Sequence, residues 1–392
     1  MSSLRVLHVT MSLDPVTGGG TVERTVQLSR ALVKAGQRCT ILTTDAGFSK
    51  NQPRSVEGVN VVAMPCLSDR FFVPFPWGRQ IREAVSEADV IHLVNHWTMI
   101  NVLTCREARR QRKPYVVCPC GALPIVGRSA LVKRVFNRLA GKRMILRAQA
   151  QIAITADEAL HFAAYGVDPR RVIVIPNGVD ERDFIDDRSD EFRRKYALGS
   201  SPIVAFMGRL NRIKGPDLLL EAFANLKERC PRHQLVFMGP DSGSLAELRE
   251  RAVQRGVAER VHFLGYVGGA DKSRAYHAAD VLVIPSRQEA MSIVVLEAGA
   301  AGTPVIMTDQ CGFPGLDEIG AGRTVAADVT GIQQALIELL APDAPLVDMG
   351  QRLKRFIKDR YTWDAAAAQY LSMFQGILAA GPCAKEHYGH GG

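Results

Sequence analysis

With 392 residues, 47% of them hydrophobic and 23% charged, the chain has the composition of a soluble globular protein long enough for two domains, each with its own core. No apolar run approaches the length of a membrane-spanning helix, and the eight scattered cysteines show neither zinc-site nor disulfide-framework spacing, so reduced cytosolic thiols are expected. The 49 basic against 40 acidic residues give a net charge of +9, which favours polyanions, anionic lipid or phosphorylated small molecules without choosing among them.

The opening "MSSLRVLHVT" reads as a first strand and not as a signal peptide. Strand-length apolar runs follow in order: "RCTILTT", "VNVVAMP", "ADVIHLV", "PYVVCP", "AQIAIT" and "RVIVIPNG", most of them separated by helical patterning. After the polar stretch 177–190, a natural linker, the alternation resumes with "PIVAFMG", "HQLVFMG", "RVHFLG", "DVLVIPS" and "TPVIMTD". The pattern predicts an α/β protein of two doubly wound halves, 1–180 and 181–362, then a last helix over 363–381. The tail 382–392 is expected to be disordered, its His387 and His390 reading as flexible polar tail before they read as metal ligands.

Three stretches carry chemistry. Gly18, Gly19 and Gly20 precede a helix expected near Thr21; they would let backbone approach an anion, or simply form a flexible turn. The GxGxxG spacing is absent and no GK[ST] follows, so neither the dinucleotide fingerprint nor a P-loop is present. In "FMGRLNRIKGPDLLLEAF", Arg209 and Lys214 share one strand-to-helix loop and could converge on a diphosphate, Arg209 as a fork and Lys214 as a point charge. In "PSRQEAMSIVVLEAGAAG", Glu289 falls in the turn before a helix N-capped at Ser292, and Glu297 falls inside that helix. Two carboxylates around a helix N-terminus suit a ligand with hydroxyls at both ends and an anion in the middle, the anion taking the free N–H groups. On this stretch alone, a solvated turn residue and an exposed helix position explain the two glutamates equally well.

Gly-Arg, four residues and Lys-Gly after a strand, followed some seventy residues later by Glu, seven residues and Glu, resembles the retaining GT-B glycosyltransferases of family 4, the group 1 glycosyl transferases. The resemblance runs from the glycine loop through "VIPNGVD" to the final helix. It implies two facing Rossmann-like domains, the second binding a nucleotide sugar, the first presenting the acceptor, and a last helix returning to the first. It implies that Arg209 and Lys214 hold the donor diphosphate, Glu289 the transferred sugar and Glu297 the ribose. Amides near Met291, Ser292 and Ile293 would complete the phosphate site, Gly18 to Gly20 would line the cleft, and Gly265 to Val267 would meet the base.

Two departures stand out. The family's small Gly-aromatic-Gly after the first glutamate is here "AMS", and Cys120 in "CPCGALP" occupies the place of a histidine found in many relatives. Cys120 reads first as a small packing residue. His92 and His96 in "DVIHLVNHW" end the preceding strand; His92 suits a core position or the cleft equally, and His96 reads as an acceptor-side or catalytic candidate. Segment 128–147 carries seven Lys or Arg and no acid, with Leu131, Val135 and Leu139 on one face and Lys133, Arg134 and Arg138 largely away from it. It suits anionic lipid or a phosphorylated acceptor, or packs on the sheet with a solvated basic face. The aromatic "RFFVPFPW" at 70–77 reads as interface or as packed loop.

The resulting expectation is a retaining, metal-independent hexosyltransferase without cofactor, using a UDP- or GDP-linked donor. Its partners would be a glycan or lipid-linked glycan acceptor and an anionic membrane surface, with no nucleic acid. A GT-B epimerase, a phosphorylase-like enzyme or a non-catalytic nucleotide-sugar-binding scaffold are the alternatives.

Overall fold

Parallel strands alternate with helices along the whole chain, and each half forms its own sheet. The structure, a computed structural model, describes residues 3–48, 55–125 and 129–381. The tail with His387 and His390 and the first basic residue of segment 128–147, Arg128, lie outside them. The chain divides into one unit of Met1–Asn177 with Trp363 onward, and a second of Gly178–Thr362.

In the first unit, strands β1 (Arg5–Ser12), β2 (Arg38–Thr44), β3 (Asn60–Met64), β6 (Val90–Val94), β7 (Tyr115–Cys118), β8 (Ala150–Ala153) and β9 (Ile173–Val174) form one parallel sheet in the order β3-β2-β1-β6-β7-β8-β9. A short antiparallel ribbon, β4 (Cys66–Ser68) with β5 (Val73–Pro74), interrupts the alternation. Helices α1 (Pro15–Lys34), α2 (Gly78–Glu87), α3 (Met99–Arg110), α4 (Ala130–Phe136), α5 (Lys142–Leu146) and α6 (Ala156–His161) connect the strands. Strands buried on both faces read as continuous apolar runs, and β6 is buried at every residue. The run "RVIVIPNG" yields only the two-residue β9, exposed at the sheet edge.

The second unit begins with α7 (Ser189–Lys195). Its parallel sheet holds β10 (Ile203–Met207), β11 (Gln234–Met238), β12 (Val261–Phe263), β13 (Val281–Ile284), β14 (Val305–Thr308) and β15 (Gly322–Val325), in the order β12-β11-β10-β13-β14-β15. Helices α8 (Pro216–Asn225), α9 (Leu245–Gln254), α10 (Ala270–Ala278), α11 (Ile293–Ala301), α12 (Val329–Leu339) and α13 (Leu346–Arg360) cover it. The acidic run 186–191, which as sequence looks like linker charge, is an ordered ion network instead. Arg274 on α10 contacts Asp186, Glu191 and Asp271, and so ties α7 to α10. The last helix, α14 (Trp363–Ala380), belongs to the first unit, where it packs on α1.

What holds α14 there is a buried cation. Arg24 on α1, 1% exposed, donates to Asn177 Oδ1 at 2.6 Å, to the Ile175 carbonyl at 3.1 Å and to Tyr370 Oη on α14 at 2.9 Å. An unsatisfied buried guanidinium would be costly, so the three acceptors fix where the 175–177 segment and α14 sit. In both sheets the strand order reverses once, between β1 and β6 and between β10 and β13. Loops on either side of such a reversal run in opposite directions and leave a crevice at the carboxyl ends of the strands.

Candidate functional site

In the second unit, that crevice is framed by the loop after β10, residues 208–215, and the loop after β13, residues 285–292. The carboxylate of Glu289 is buried against the ammonium of Lys214 and also accepts from Ser286 Oγ at 2.8 Å. A second ion pair ties the later loop to the first turn of α8, where Arg287 grips both carboxylate oxygens of Asp217 at 2.8 and 2.7 Å, and the Arg287 backbone N–H joins the two loops by donating to the Ile213 carbonyl at 2.7 Å. Arg209, half-buried at the start of the first loop, makes no side-chain hydrogen bond or ion pair among the described residues. One cation is therefore engaged and one is free.

Residues 289–292 take their shape from a third loop. The Glu289 N–H donates to the Gln310 carbonyl at 2.9 Å and the Ser292 N–H to the Cys311 carbonyl at 3.0 Å. Their approach is so close that a Cβ on Gly312, which has φ 60°, would stand 1.9 Å from the Ala290 carbonyl oxygen. This explains how "AMS" serves without glycines: the glycine the geometry requires is on the opposing strand of chain. The expected trio of amides is corrected in one member, since the Ser292 N–H is already occupied. Ser292 does stand at the N-cap position of α11, but its hydroxyl caps nothing and is buried without a partner. The first-turn N–H groups from Ile293 onward have no acceptor within the helix.

Glu297, 4% exposed, is no solvated helix position. Its carboxylate meets the Lys272 ammonium and accepts from Tyr276 Oη at 2.6 Å, both on α10. Lys272 and Tyr276 went unrecognised in the sequence because no motif marks them; their spacing of four on one helix was the available signal. Near the same edge, the Gly239 N–H donates to the Gly265 carbonyl at 2.7 Å, Val267 is buried and Tyr266 is exposed.

The first unit builds its own crevice from the loops after β1 and β6. The glycine loop is not a bare lead into a helix at Thr21: helix begins at Pro15, Gly18 donates to the Asp14 carbonyl at 2.9 Å, and the helix breaks at Gly19, with φ 53° and ψ −136°. Gly20, just past the break, is exposed. His92, which as sequence suits core or cleft equally, is a core residue. Its Nδ1 lies 3.0 Å from Nδ1 of His8 across the β1–β6 pair, and both rings are wholly buried.

His96 is also wholly buried, packed edge-on to Trp97, Phe136 and Tyr165. The hydrogen-bond directions set its tautomer. Tyr165 Oη donates to the Leu123 carbonyl and so accepts from Asn137 Nδ2, which leaves Asn137 Oδ1 to accept from His96 Nε2 at 2.8 Å. His96 Nδ1 is then a lone pair, buried without a partner. In this structure neither His92 nor His96 presents a nitrogen at the surface. Cys120, in a left-handed turn at φ 54°, does not pack alone; its thiol is 3.6 Å from that of Cys118. Glu158, buried below, accepts from the N–H groups of Gly121 and Ile154.

Comparison with known proteins supplies the family and the fold. Residues 19–178 match the family model "Glycosyl transferase 4-like domain" and residues 188–355 match "Glycosyl transferases group 1". A D-inositol 3-phosphate glycosyltransferase of Xylanimonas cellulosilytica is 30% identical over 413 residues, covering 94% of each chain. The chain belongs to the group 1 glycosyl transferases. A D-inositol 3-phosphate glycosyltransferase of Jonesia denitrificans is 28% identical over 414 residues, again covering 94% of each chain. Among solved structures, Anabaena HepE in complex with UDP-glucose superposes with a TM-score of 0.77 at 19% identity, over 95% of this chain and 100% of that one. The fold of this group 1 glycosyl transferase is thus GT-B.

Protonation in the first unit gives a test. Burial lowers His8 well below the ordinary histidine range, His92 to about 3 and His96 to about 4, so all three are neutral in the folded chain. Groups with a depressed folded pKa contribute stability that is complete above the unfolded value near 6.5 and is lost as pH falls below it. Glu158, raised by burial to about 7, acts oppositely: its contribution is complete below 4.5 and is lost as pH rises through 7. Between pH 6.5 and 4.5 three imidazoles oppose one carboxyl. The first unit should therefore destabilise steeply on acidification, seen as a fall in its thermal midpoint from pH 7 to pH 5. A midpoint that holds constant would contradict the neutral buried histidines.

Proposed function

We propose that the chain transfers a hexosyl group from a uridine diphosphate sugar to an acceptor hydroxyl, with retention of anomeric configuration and without a divalent metal. The observation that carries the reading is the arrangement at the second unit's strand-order reversal, where Arg209, without a side-chain partner among the described residues, accompanies the half-buried Lys214–Glu289 pair. In this reading Arg209 grips the diphosphate, and Lys214 exchanges part of its hold on Glu289 for a phosphate oxygen. Glu289, released to accept from sugar hydroxyls, then orients the hexose. The first-turn amides of α11 add partial positive charge. Glu297, kept in place by Lys272 and Tyr276, shares its oxygens with the ribose hydroxyls. The UDP-glucose complex of the structural neighbour HepE supports uracil over guanine as the base.

No carboxylate is left over in this assignment to attack the anomeric carbon. The acceptor hydroxyl then attacks from the face the diphosphate leaves, and the departing phosphate oxygen takes its proton. Arg209, Lys214 and the α11 N-terminus stabilise the developing negative charge, the task a metal performs in other sugar transferases. In the first unit the Gly18–Gly20 break supplies backbone on the acceptor side. His96 and Cys120 act there by shaping the loops after β6 and β7.

For the acceptor, the reading is a lipid-linked glycan met at an anionic membrane, as in surface polysaccharide or lipopolysaccharide assembly. The apolar side of segment 130–147 does not pack on the sheet: Leu131 is 72% exposed, Leu139 69% and Val135 48%. Arg134, Arg138, Lys142, Arg143 and Arg147 are exposed around it. The ribbon before it is tied to it by Phe71 stacked on Phe136 and by Arg70 donating to Ser129 Oγ at 2.9 Å, and presents Leu67, Phe75 and Trp77 outward. Exposed apolar side chains ringed by cations suit a membrane surface. The names of the two bacterial relatives favour a second reading, inositol phosphate as acceptor, with the same cations meeting its phosphate.

Arg209→Ala and Lys214→Ala should each weaken UDP binding by roughly 1.5 to 3 kcal/mol, the worth of one charge-assisted contact; Arg209→Ala should leave the stability unchanged, whereas Lys214→Ala, which strips Glu289 of its partner, should also lower it. Glu289→Gln should reduce transfer while nearly keeping UDP affinity, whereas Glu297→Gln should weaken UDP itself. Calorimetric titration with UDP checks all four, and unchanged binding in both cation variants would remove the phosphate site. The product should keep the donor's anomeric configuration by NMR, in excess EDTA as without it.

Vesicles of anionic lipid should bind the chain in a salt-sensitive manner, each basic side chain at the surface adding about 1 kcal/mol. Replacing Lys133, Arg134 and Arg138 by Gln should release it. Binding indifferent to both salt and these changes would leave the inositol phosphate reading in place.

A further inference from the structure

At the carboxyl end of β7 the sequence "CPCG" places two thiols on one turn. Cys118 closes the strand, paired in register with Val94 of β6, and is wholly buried. Cys120 follows Pro119 with φ 54°, and Gly121 continues left-handed at φ 82°. That turn brings the two sulfurs to 3.6 Å and Cys120 Sγ to 3.5 Å from the Cys118 carbonyl. The guanidinium of Arg24 lies in the same buried region and has no carboxylate partner among the described residues; its acceptors are an amide, a carbonyl and the Tyr370 hydroxyl. A buried cation without an acid favours an anion nearby. The thiol of Cys118 is drawn below the ordinary cysteine range by the hydrogen bond from Cys120 and, against burial, by Arg24 and Tyr370. The thiol of Cys120 is pushed above it, first by that same bond. One proton is shared by two sulfurs, and the thiolate is the reactive form.

We propose that Cys118 and Cys120 form a reversible intramolecular disulfide, an oxidation site that switches the 118–121 turn between two shapes and thereby the acceptor side of the enzyme. The switching part rests on the transferase reading above; the disulfide does not. The oxidant is hydrogen peroxide. The Cys118 thiolate attacks a peroxide oxygen and the O–O bond breaks; the departing hydroxide takes a proton from solvent to give water, leaving a sulfenic acid on Cys118. The Cys120 thiol attacks that sulfur, its proton leaves with the hydroxyl as a second water, and the S–S bond forms. Two electrons pass from the sulfurs to the peroxide, and a dithiol reductant reverses the change.

The bond requires the sulfurs to close from 3.6 Å to about 2.05 Å. The backbone of Cys118 is held by the sheet, so the closure falls on the two side chains and on the 119–121 turn. Their neighbours are tied to named partners: Gly121 N–H to Glu158, the Ala122 carbonyl to Trp97 Nε1 and the Leu123 carbonyl to Tyr165 Oη. Trp97 and Tyr165 are two of the three rings that flank His96. A shift of the turn therefore reaches the aromatic wall after β6.

The test uses the full chain. It is exposed to hydrogen peroxide, unfolded in an alkylating agent, digested and weighed, with UDP-sugar turnover followed in parallel. The peptide holding Cys118 and Cys120 should lose two hydrogens and escape alkylation before Cys39, Cys66, Cys105, Cys230 and Cys311 react. Dithiothreitol should restore both thiols, and turnover should fall and recover over the same course. In Cys120→Ser, Cys118 should stop at a sulfenic acid that dimedone captures. Both thiols remaining alkylatable while Cys66 oxidises, or sulfinic acid in place of the disulfide, would overturn the site. A disulfide that forms with turnover unchanged would overturn the switch. A chain without turnover before any oxidant counts against the transferase reading alone, since the masses still decide the disulfide.

Discussion

The ion pair between Lys214 and Glu289 is the contact on which the second unit's ligand edge depends. The two residues leave adjacent strands, β10 and β13, at the one place where the strand order reverses and their loops would otherwise diverge. Withdrawing both charges part-way from water is costly, and their attraction offsets that cost best when the remaining lone pairs are also satisfied. Ser286 supplies one such bond to the Glu289 carboxylate, and the Arg287–Asp217 fork anchors the later loop to the start of α8. An ion pair held in this manner stores a choice of partner. A ligand that brings hydroxyls to the carboxylate and an anion to the ammonium replaces the internal attraction with two external ones, and a neutral ligand does not.

The first unit solves the corresponding problem without an ion pair. At its reversal, between β1 and β6, two neutral imidazoles meet, and the guanidinium of Arg24 beside them is held by neutral acceptors. Arg24 joins α1, the 175–177 segment and α14, so the last helix of the chain is part of the first unit's core. One unit is thus built around a half-buried charge pair. The other is built around a buried cation whose field reaches a pair of thiols.

Much of this was legible in the sequence, for identifiable reasons. Strands buried on both faces announce themselves as apolar runs, so both sheets and the last helix could be read, and the spacing of Arg209, Lys214, Glu289 and Glu297 marked the loops at the second reversal. What stayed hidden depends on contacts between distant segments. Nothing local reveals that Lys272 and Tyr276 hold Glu297, or that Gly312 makes room for the Ala290 carbonyl. His92 looked equally suited to core or cleft because the deciding partner, His8, is 84 residues away. The acidic run 186–191 resembled linker charge because its counter-ion, Arg274, lies on α10.

The claim that the second unit's reversal is a nucleoside diphosphate sugar site is tested most directly by thermal unfolding of the intact chain in a panel of UDP, GDP, ADP and their sugars. A ligand present at a hundredfold its dissociation constant stabilises by about 2.7 kcal/mol, an easily measured rise in midpoint. The account predicts that a uridine diphosphate sugar raises the midpoint most and UDP less, because only the sugar engages Glu289. A panel in which no nucleotide or nucleotide sugar moves the midpoint would contradict it.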